Sequence, residues 1–377
     1  MFLPAKREAR ICSDGCYFLL KMENAVIRAR VVGAGGFGGA NIIELLTAHP
    51  AAQIVSLVDV QGVGQPISDT HTHLKGVCDL PVSSPDDAAW DGSANVAFTA
   101  TPDGVGMTLA ELCLASGARM IDYSGDFRFN DAESYASYAG RIGRDPAHAA
   151  AALLPRSVYG VTELHREEIA TALVVGNPGC FAVSAILGAA PVVREGLIDP
   201  GTLICDAKTG VSGAGIKPAQ TFHYPLRYEN MNAYKIAAHQ HNFEIERELS
   251  RLVGAEVRVT LTTQVVPLCR GIMTTVYGQL ADPATTAQQL YEAYAEFYRG
   301  ANFVRVEPQG TPTSNNDVRG SNLCVLSVNV DPRTGRMIVV SHIDNLMKGQ
   351  AGSALQNMNV MFGLDETVGL RRPAFYP

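Results

Sequence analysis

Apolar positions along this chain fall into short continuous runs, separated by stretches in which they recur every third or fourth residue. The first run, Val26-Ile-Arg-Ala-Arg-Val-Val32, predicts a strand. A turn, Gly33-Ala-Gly-Gly-Phe-Gly-Gly39, follows it, and Ala40 to Ala48 carries apolar residues at helical spacing. Ala52 to Val58 predicts a second strand, ending at Asp59. Asn95 to Thr99 and Arg119 to Asp122 predict two more, with a helix over Val105 to Ser116 between them. Residues 131–170 read as helices and loops that close this unit. A short run, Leu173 to Val175, then turns through Gly176-Asn-Pro-Gly179 into an Ala-rich apolar helix ending near Val193. Strands alternating with helices predict a parallel α/β sheet.

The texture changes after Cys180. Gly201 to Ala207 predicts a strand, and Lys208 to Lys217 a glycine-rich loop. Arg258 to Val266, Gly271 to Tyr277, Asn322 to Val330 and Arg336 to Ser341 alternate in the manner of antiparallel strands. Helices are predicted over Phe243 to Leu252 and Ala284 to Tyr298. This is the pattern of an α+β domain around a mixed or antiparallel sheet. Asp344 opens a last helix, to about Phe362, expected to pack back on the first unit. The first 24 residues share none of these patterns and are expected to be a disordered extension.

Strand, glycine turn, helix is the context a dinucleotide-binding fingerprint requires. Gly33, Gly35 and Gly38 satisfy G-x-G-x-x-G, and Gly33, Gly36 and Gly39 give a second register. With Phe37, they let a pyrophosphate approach the backbone at a helix N-terminus. Asp59 stands where an acid hydrogen-bonds an adenosine ribose 2′-OH, the mark of NAD, and no arginine lies beside it to receive a 2′-phosphate. Ligands collect at strand carboxyl ends, which brings in Pro102 and the segment from Asp122 to Arg128. Asp126 and Arg128 are also spaced to form a local ion pair. The Asp344-Asn345 turn is expected near the nicotinamide. The chain thus divides into a dinucleotide-binding domain, 25–177 with 346–377, and a catalytic, substrate and oligomerisation domain, 178–345.

Cys180 sits at a helix N-terminus, where unpaired N–H groups and the macrodipole favour thiolate over thiol. Gly179 leaves room for a substrate to approach. His239 and His241 form an H-x-H, with Glu244 three residues on. A histidine titrates near neutral pH and trades a proton with a thiol or oxyanion, and a carboxylate fixes its tautomer. In the glycine-rich loop, Ser212, Gly213 and two lysines suit an anionic group.

Composition narrows the field. A chain of 377 residues suggests two domains. A net charge of −7 argues against nucleic acid and anionic membrane as partners, and no apolar run is long enough to span a bilayer. Eight scattered cysteines point to reduced thiols in a reducing, cytoplasmic compartment. Cys12 and Cys16 form a CxxxC with no partner pair, so no metal site is expected.

The ordered blocks Asn177-Pro-Gly-Cys180, Gly210-Val-Ser-Gly-Ala-Gly215, His239-Gln-His241 with Glu244, Arg319-Gly-Ser-Asn322, Asp344-Asn-Leu-Met-Lys-Gly349 and Gln356-Asn-Met-Asn359 resemble the N-acetyl-γ-glutamyl-phosphate reductases of arginine biosynthesis. The resemblance runs from about Val26 to Leu370. It implies a Rossmann domain with a semialdehyde dehydrogenase-like α+β catalytic domain, NADP(H) as cofactor, and a homodimer or homotetramer. It implies Cys180 as nucleophile, one or both of His239 and His241 as acid/base, and Glu244 as orienting group. Ser212 and its loop, with Arg128, Arg270 and Arg319, would meet the acyl phosphate, and Ser212 the cofactor too. The chain departs from the family in its glycine turn, in Asp59-Val60 where Ser-Arg is common, in Phe181-Ala182, and in Asn242-Phe243. Asp59 keeps NAD(H) open. The last two departures keep open a paralogous reductase of another amino-acid-derived acyl phosphate, of amino-adipyl or aspartyl type.

Overall fold

The computed structural model describes residues 26–376, so the extension with Cys12 and Cys16 lies outside the described residues. The first sheet contains β1 (Ile27–Val32), β2 (Ala52–Val58), β3 (Val82–Ser83), β4 (Val96–Thr99), β5 (Arg119–Asp122), β6 (Ser157–Tyr159) and β7 (Val174–Gly176). Their order is β3-β2-β1-β4-β5-β7-β6, and every pairing is parallel. Helices cover both faces, so the strands are buried and read as continuous apolar runs. Along β5 and β7 the side chains alternate: Met120 and Val174 enter the core beneath Tyr135 and Tyr138, while Ile121 and Val175 enter the core beneath Ile42 and Ile169. β6 falls within the region expected to hold only helices and loops. Its three residues are too few to show a period.

Helix α1 spans Phe37–Thr47, three residues earlier than the apolar spacing suggests. Gly38 and Gly39 are therefore helical and buried. A Cβ at Gly39 would meet the Gly33 carbonyl oxygen at 2.2 Å, so only glycine lets the helix close down on the turn. Helices α2 (Gly106–Ala115), α3 (Ala132–Arg141) and α4 (Thr162–Thr171) follow. Asp131 caps α3 by accepting the Ser134 N–H at 2.7 Å.

The second sheet is mixed. It contains β8 (Ile198–Thr209), β9 (Asn232–Tyr234), β10 (Thr260–Val265), β11 (Ile272–Leu280), β12 (Val304–Glu307), β13 (Cys324–Asp331) and β14 (Arg336–Ile343), in the order β12-β13-β14-β11-β8-β10-β9. β10 was expected to be antiparallel; it runs parallel to β8 and antiparallel only to β9. Alternation reports which face is buried, not the direction of the neighbour. Lys208, expected in a loop, lies within β8 and pairs with Asp206. One face packs on α5 (Cys180–Arg194), α6 (His241–Val253) and α7 (Ala287–Phe297). The other face, with Ile204, Tyr277, Ile338 and Val340, stays half-buried.

Helix α5 is apolar all round, and every residue from Phe181 to Val193 is buried, as a helix between two layers must be. The last helix, α8 (Gly352–Met361), enters the core of the first sheet: Ala354, Leu355 and Met358, with Met347 from the turn before it, pack with Val31, Ile42 and Phe98. No helix among the described residues is long and apolar enough to cross a membrane.

The strand that delivers Cys180 is tightly pinned. A Cβ at Gly176 would stand 2.1 Å from the Phe127 carbonyl oxygen. Gly176→Ala is expected to destabilise the fold by about 2–3 kcal/mol through overpacking, read as a lower urea midpoint at unchanged slope.

Candidate active site

Cys180 is the first residue of α5, after a three-residue turn from β7 that is held from three sides. Asn177 N–H donates to the Asp122 carbonyl at 2.7 Å, Asn177 Nδ2 donates to the Gln350 carbonyl at 3.0 Å, and Gly179 N–H donates to Glu244 Oε2 at 3.0 Å. The half-buried thiol thus starts a helix whose direction is fixed by both domains. Its acidity corrects the sequence expectation. Burial pushes the Cys180 thiol up to about 11, outweighing the Phe181 N–H and the Arg128 charge, which pull it down. The helix terminus is present, but the surrounding packing keeps water from the anion.

The space that Gly179 leaves is not open to substrate. It is taken by the His241 ring, since a Cβ there would lie 2.3 Å from His241 Nε2. His239 packs edge-to-face on His241 with centroids 4.6 Å apart, and its Nδ1 accepts the His241 N–H at 3.2 Å. Phe181 and Tyr234 enclose His239. Neither imidazole titrates near neutrality as expected: burial pulls His239 down to about 2 and His241 well below its usual value. Both are neutral at pH 7. His241 Nδ1 is buried without a hydrogen-bond partner.

Glu244 is fully buried and organises the rest. Its Oε1 accepts Arg128 Nη1 at 2.9 Å; its Oε2 accepts the Tyr159 hydroxyl at 2.8 Å as well as the Gly179 N–H. His241 Nε2 lies 3.8 Å from Oε1. Arg128 pairs with Glu244, not with Asp126, whose carboxylate caps α2 through the Gly104 and Met107 N–H groups. Arg128 also donates to the carbonyls of Asn177 and Tyr123, so its guanidinium is committed to the protein. Tyr159 lies in Val158-Tyr-Gly160, a weaker block of the family resemblance, while Tyr234 has no sequence signal and only the fold brings it here.

The other two arginines expected to meet an acyl phosphate, Arg270 and Arg319, each have a protein partner. Arg270 makes a two-nitrogen pair with the buried carboxylate of Asp344. Arg319 donates to the Phe375 carbonyl at 3.4 Å on the surface. The structure thus gives both arginines protein partners. Ser212 and Asn345 do come together: Asn345 Nδ2 donates to Ser212 Oγ at 2.9 Å, and Asn345 Oδ1 accepts the Gly271 N–H at 2.8 Å. Gly213 lies beside them, 3.9 Å from Asn345 Nδ2 by its would-be Cβ. Among the described residues no three His, Cys, Asp or Glu side chains gather as metal ligands.

The glycine turn has the form of a phosphate cradle. Gly36 is the N-cap of α1 and no side chain caps that terminus, so its first N–H groups stay free. A Cβ at Gly38 would meet Gln350 Nε2 at 3.1 Å. Thr101 Oγ1 and Gln350 Oε1 are buried without partners around this turn, beside Pro102. Asp59 Oδ2 accepts the Gly35 N–H at 2.8 Å, which holds the acid at the rim of the cradle. These donors and the acid fit a nicotinamide dinucleotide.

Two family models cover the chain in the same two parts: the NAD binding domain of semialdehyde dehydrogenases over residues 28–172, and their dimerisation domain over 180–345. An N-acetyl-gamma-glutamyl-phosphate reductase of Desulforudis audaxviator is 44% identical over 352 residues, covering 93% of this chain and 100% of the relative. The chain belongs to the N-acetyl-gamma-glutamyl-phosphate reductase family. A further member, from Bacillus mycoides, is 42% identical over 93% of this chain and 100% of its own length. The fold is shared more widely. Aspartate semialdehyde dehydrogenase II of Vibrio cholerae superimposes with a TM-score of 0.67 at 15% identity, covering 90% of this chain and 98% of that one. The Candida albicans aspartate semialdehyde dehydrogenase, solved with NADP, gives 0.68 at 16% identity over 89% and 98%. The family and the α/β plus α+β architecture read from the sequence are thus borne out.

Two outcomes follow from this geometry. Alkylation of Cys180 by iodoacetamide in the free protein is expected to be slow at neutral pH and still climbing above pH ~9, past the usual thiol value of about 8.5; a plateau below that would contradict the burial. Glu244→Ala is expected to lower stability by about 3–5 kcal/mol, because it strands the Arg128 charge in the interior. Chemical denaturation measures it.

Proposed function

We propose that this chain catalyses the NADPH-dependent reduction of N-acetyl-γ-glutamyl phosphate to N-acetylglutamate 5-semialdehyde and phosphate, through a thioester on Cys180, as a step of arginine biosynthesis. The observation that carries it is Cys180 at the α5 N-terminus, with His241 packed on Gly179 and the Gly179 N–H bonded to Glu244, in a chain that matches a family member over 93% of its length. We read residues 25–177 with 346–377 as the cofactor domain and 178–345 as the catalytic domain. The dimerisation-domain match and the half-buried outer face of the second sheet support a homo-oligomer, dimer or tetramer.

At rest the thiol and both imidazoles are neutral, so attack and proton transfer are coupled. The free Nδ1 of His241 takes the thiol proton as Cys180 Sγ bonds to the acyl carbon. The carbon–oxygen bond to phosphate breaks, and His241 passes the proton to the departing phosphate. The Phe181 N–H and the Arg128 charge, which already pull on the thiolate, stabilise the negative charge that develops at this end of α5. NADPH held at the glycine turn would supply the hydride for the thioester carbon. The carbon–sulfur bond then breaks and frees the aldehyde, and the Cys180 sulfur regains a proton from solvent through His241. We assign Ser212, after β8, and Asn345, after β14, to the nicotinamide; the hydrogen bond between them supports this reading.

The reverse reaction tests the reading directly. N-acetylglutamate semialdehyde with phosphate and NADP is expected to give phosphate-dependent reduction of the cofactor. Turnover only with aspartate or amino-adipate semialdehyde would favour the paralogous substrate. Cys180→Ser is expected to lose about a thousandfold or more in kcat, with cofactor affinity retained. Asp59 lets NAD(H) compete with NADP(H). Asp59→Ser, which removes the charge facing a 2′-phosphate, is expected to raise the ratio of NADPH to NADH affinity about tenfold, read by fluorescence titration.

A further inference from the structure

Behind the nucleophile the chain makes a turn wider than an α-helix. Gly349 N–H donates to the Asp344 carbonyl at 2.9 Å and Ala351 N–H to the Leu346 carbonyl at 3.0 Å, each five residues back. Met347–Ala351 is therefore a π turn that runs straight into α8. Such turns have poorer hydrogen-bond packing than an α-helix and recur at functional sites. Here the wide turn brings the Gly349 backbone against the nucleophile: a Cβ at 349 would stand 2.8 Å from Cys180 Cβ and 3.3 Å from its Cα.

Lys348, the neighbouring residue, is only 1% exposed. Its Nζ donates to Glu163 Oε1 at 2.6 Å and to Gln356 Oε1 at 2.8 Å. Gln356 Nε2 in turn donates to Glu163 Oε1 at 3.0 Å, and the second oxygen of Glu163 is buried without a partner. Desolvating a lysine and a glutamate together is costly, and an apolar pair of similar volume is often at least as stable. Stability alone therefore does not account for the pair. Its effect is geometric. It ties the π turn to α4, a helix of the first domain, and directional bonds fix the rotation of a turn that apolar contact would leave free to slide.

We propose that Lys348 and Glu163 are positioning residues for Cys180. Their buried pair holds the π turn in the rotation that backs the nucleophile with Gly349, and so sets the direction of the Cys180 Sγ. Neither residue touches substrate. The inference rests on Cys180 being the nucleophile.

The test is the double variant Lys348→Met/Glu163→Gln, which removes both charges and leaves none unpaired. It is expected to keep its thermal midpoint within a few degrees and its KM within about twofold, while kcat falls roughly ten- to a hundredfold, the scale of a small misplacement of a reacting group. The rate of Cys180 alkylation is expected to change about threefold or more at fixed pH. Gly349→Ala, which presses on Cys180 directly, should act in the same direction, and combining it with the double variant should cost less than the product of the two effects. A folded double variant with the parent's kcat and alkylation rate would overturn the proposal, and so would purely multiplicative effects. If the double variant does not fold, Glu163→Gln alone decides: lowered kcat at unchanged KM supports positioning, and lowered stability at unchanged kcat refutes it. If the parent shows no reductase turnover, the functional reading fails, but the alkylation contrast between parent and variants still decides the role of the pair.

Discussion

The fold meets its chemistry at the carboxylate of Glu244. Four segments end on it: Arg128 from the loop after β5, Tyr159 from β6, Gly179 from the turn before α5, and the start of α6, which carries Glu244 itself. A buried carboxylate with three hydrogen-bond donors, one of them cationic, is a stiff joint, because each donor lost would leave charge or dipole uncompensated in the interior. That joint fixes where α5 begins and where His241 lies over it. The rest of each domain is scaffolding that brings these four segments to one point.

The same burial that makes the joint stiff sets the resting protonation. Cys180 is raised and both histidines are lowered, all chiefly by desolvation. A neutral thiol is a poor nucleophile, since the thiolate is the reacting form. The donors that favour the charged form, the Phe181 N–H at the α5 terminus and Arg128, are already oriented. Such preorganised donors stabilise a developing charge without rearrangement.

A second belt of polar side chains runs within the first domain and reaches the second at Asn322. Asn177 reaches the Gln350 backbone, Asn357 reaches the Gly160 carbonyl, and Thr162 reaches Asn357. Gln356 bonds Lys348, Glu163, Glu366 and Asn322. These residues make the blocks 319–322 and 356–359 so distinctive in the sequence. They are a mostly satisfied buried network rather than a substrate surface, and they join α4, the end of the second sheet and α8 into one body.

Much of this was legible in one dimension. The strand–glycine turn–helix unit, the alternation after Cys180 and the placement of that cysteine at a helix N-terminus follow from local periodicity and turn chemistry, which depend only on neighbours in sequence. The order and spacing of the blocks carried the family. Short strands such as β6 and β9 were not legible, since three residues cannot show a period. Nor was the direction of β10, since alternation is the same for parallel and antiparallel partners. The tertiary structure alone decided the partners of the charges: Arg128 to Glu244, Arg270 to Asp344, Lys348 to Glu163. It alone decided that Cys180 and the histidines are neutral at rest. Protonation and pairing depend on desolvation and on distance to groups up to 185 positions away, and neither quantity exists until the chain has folded.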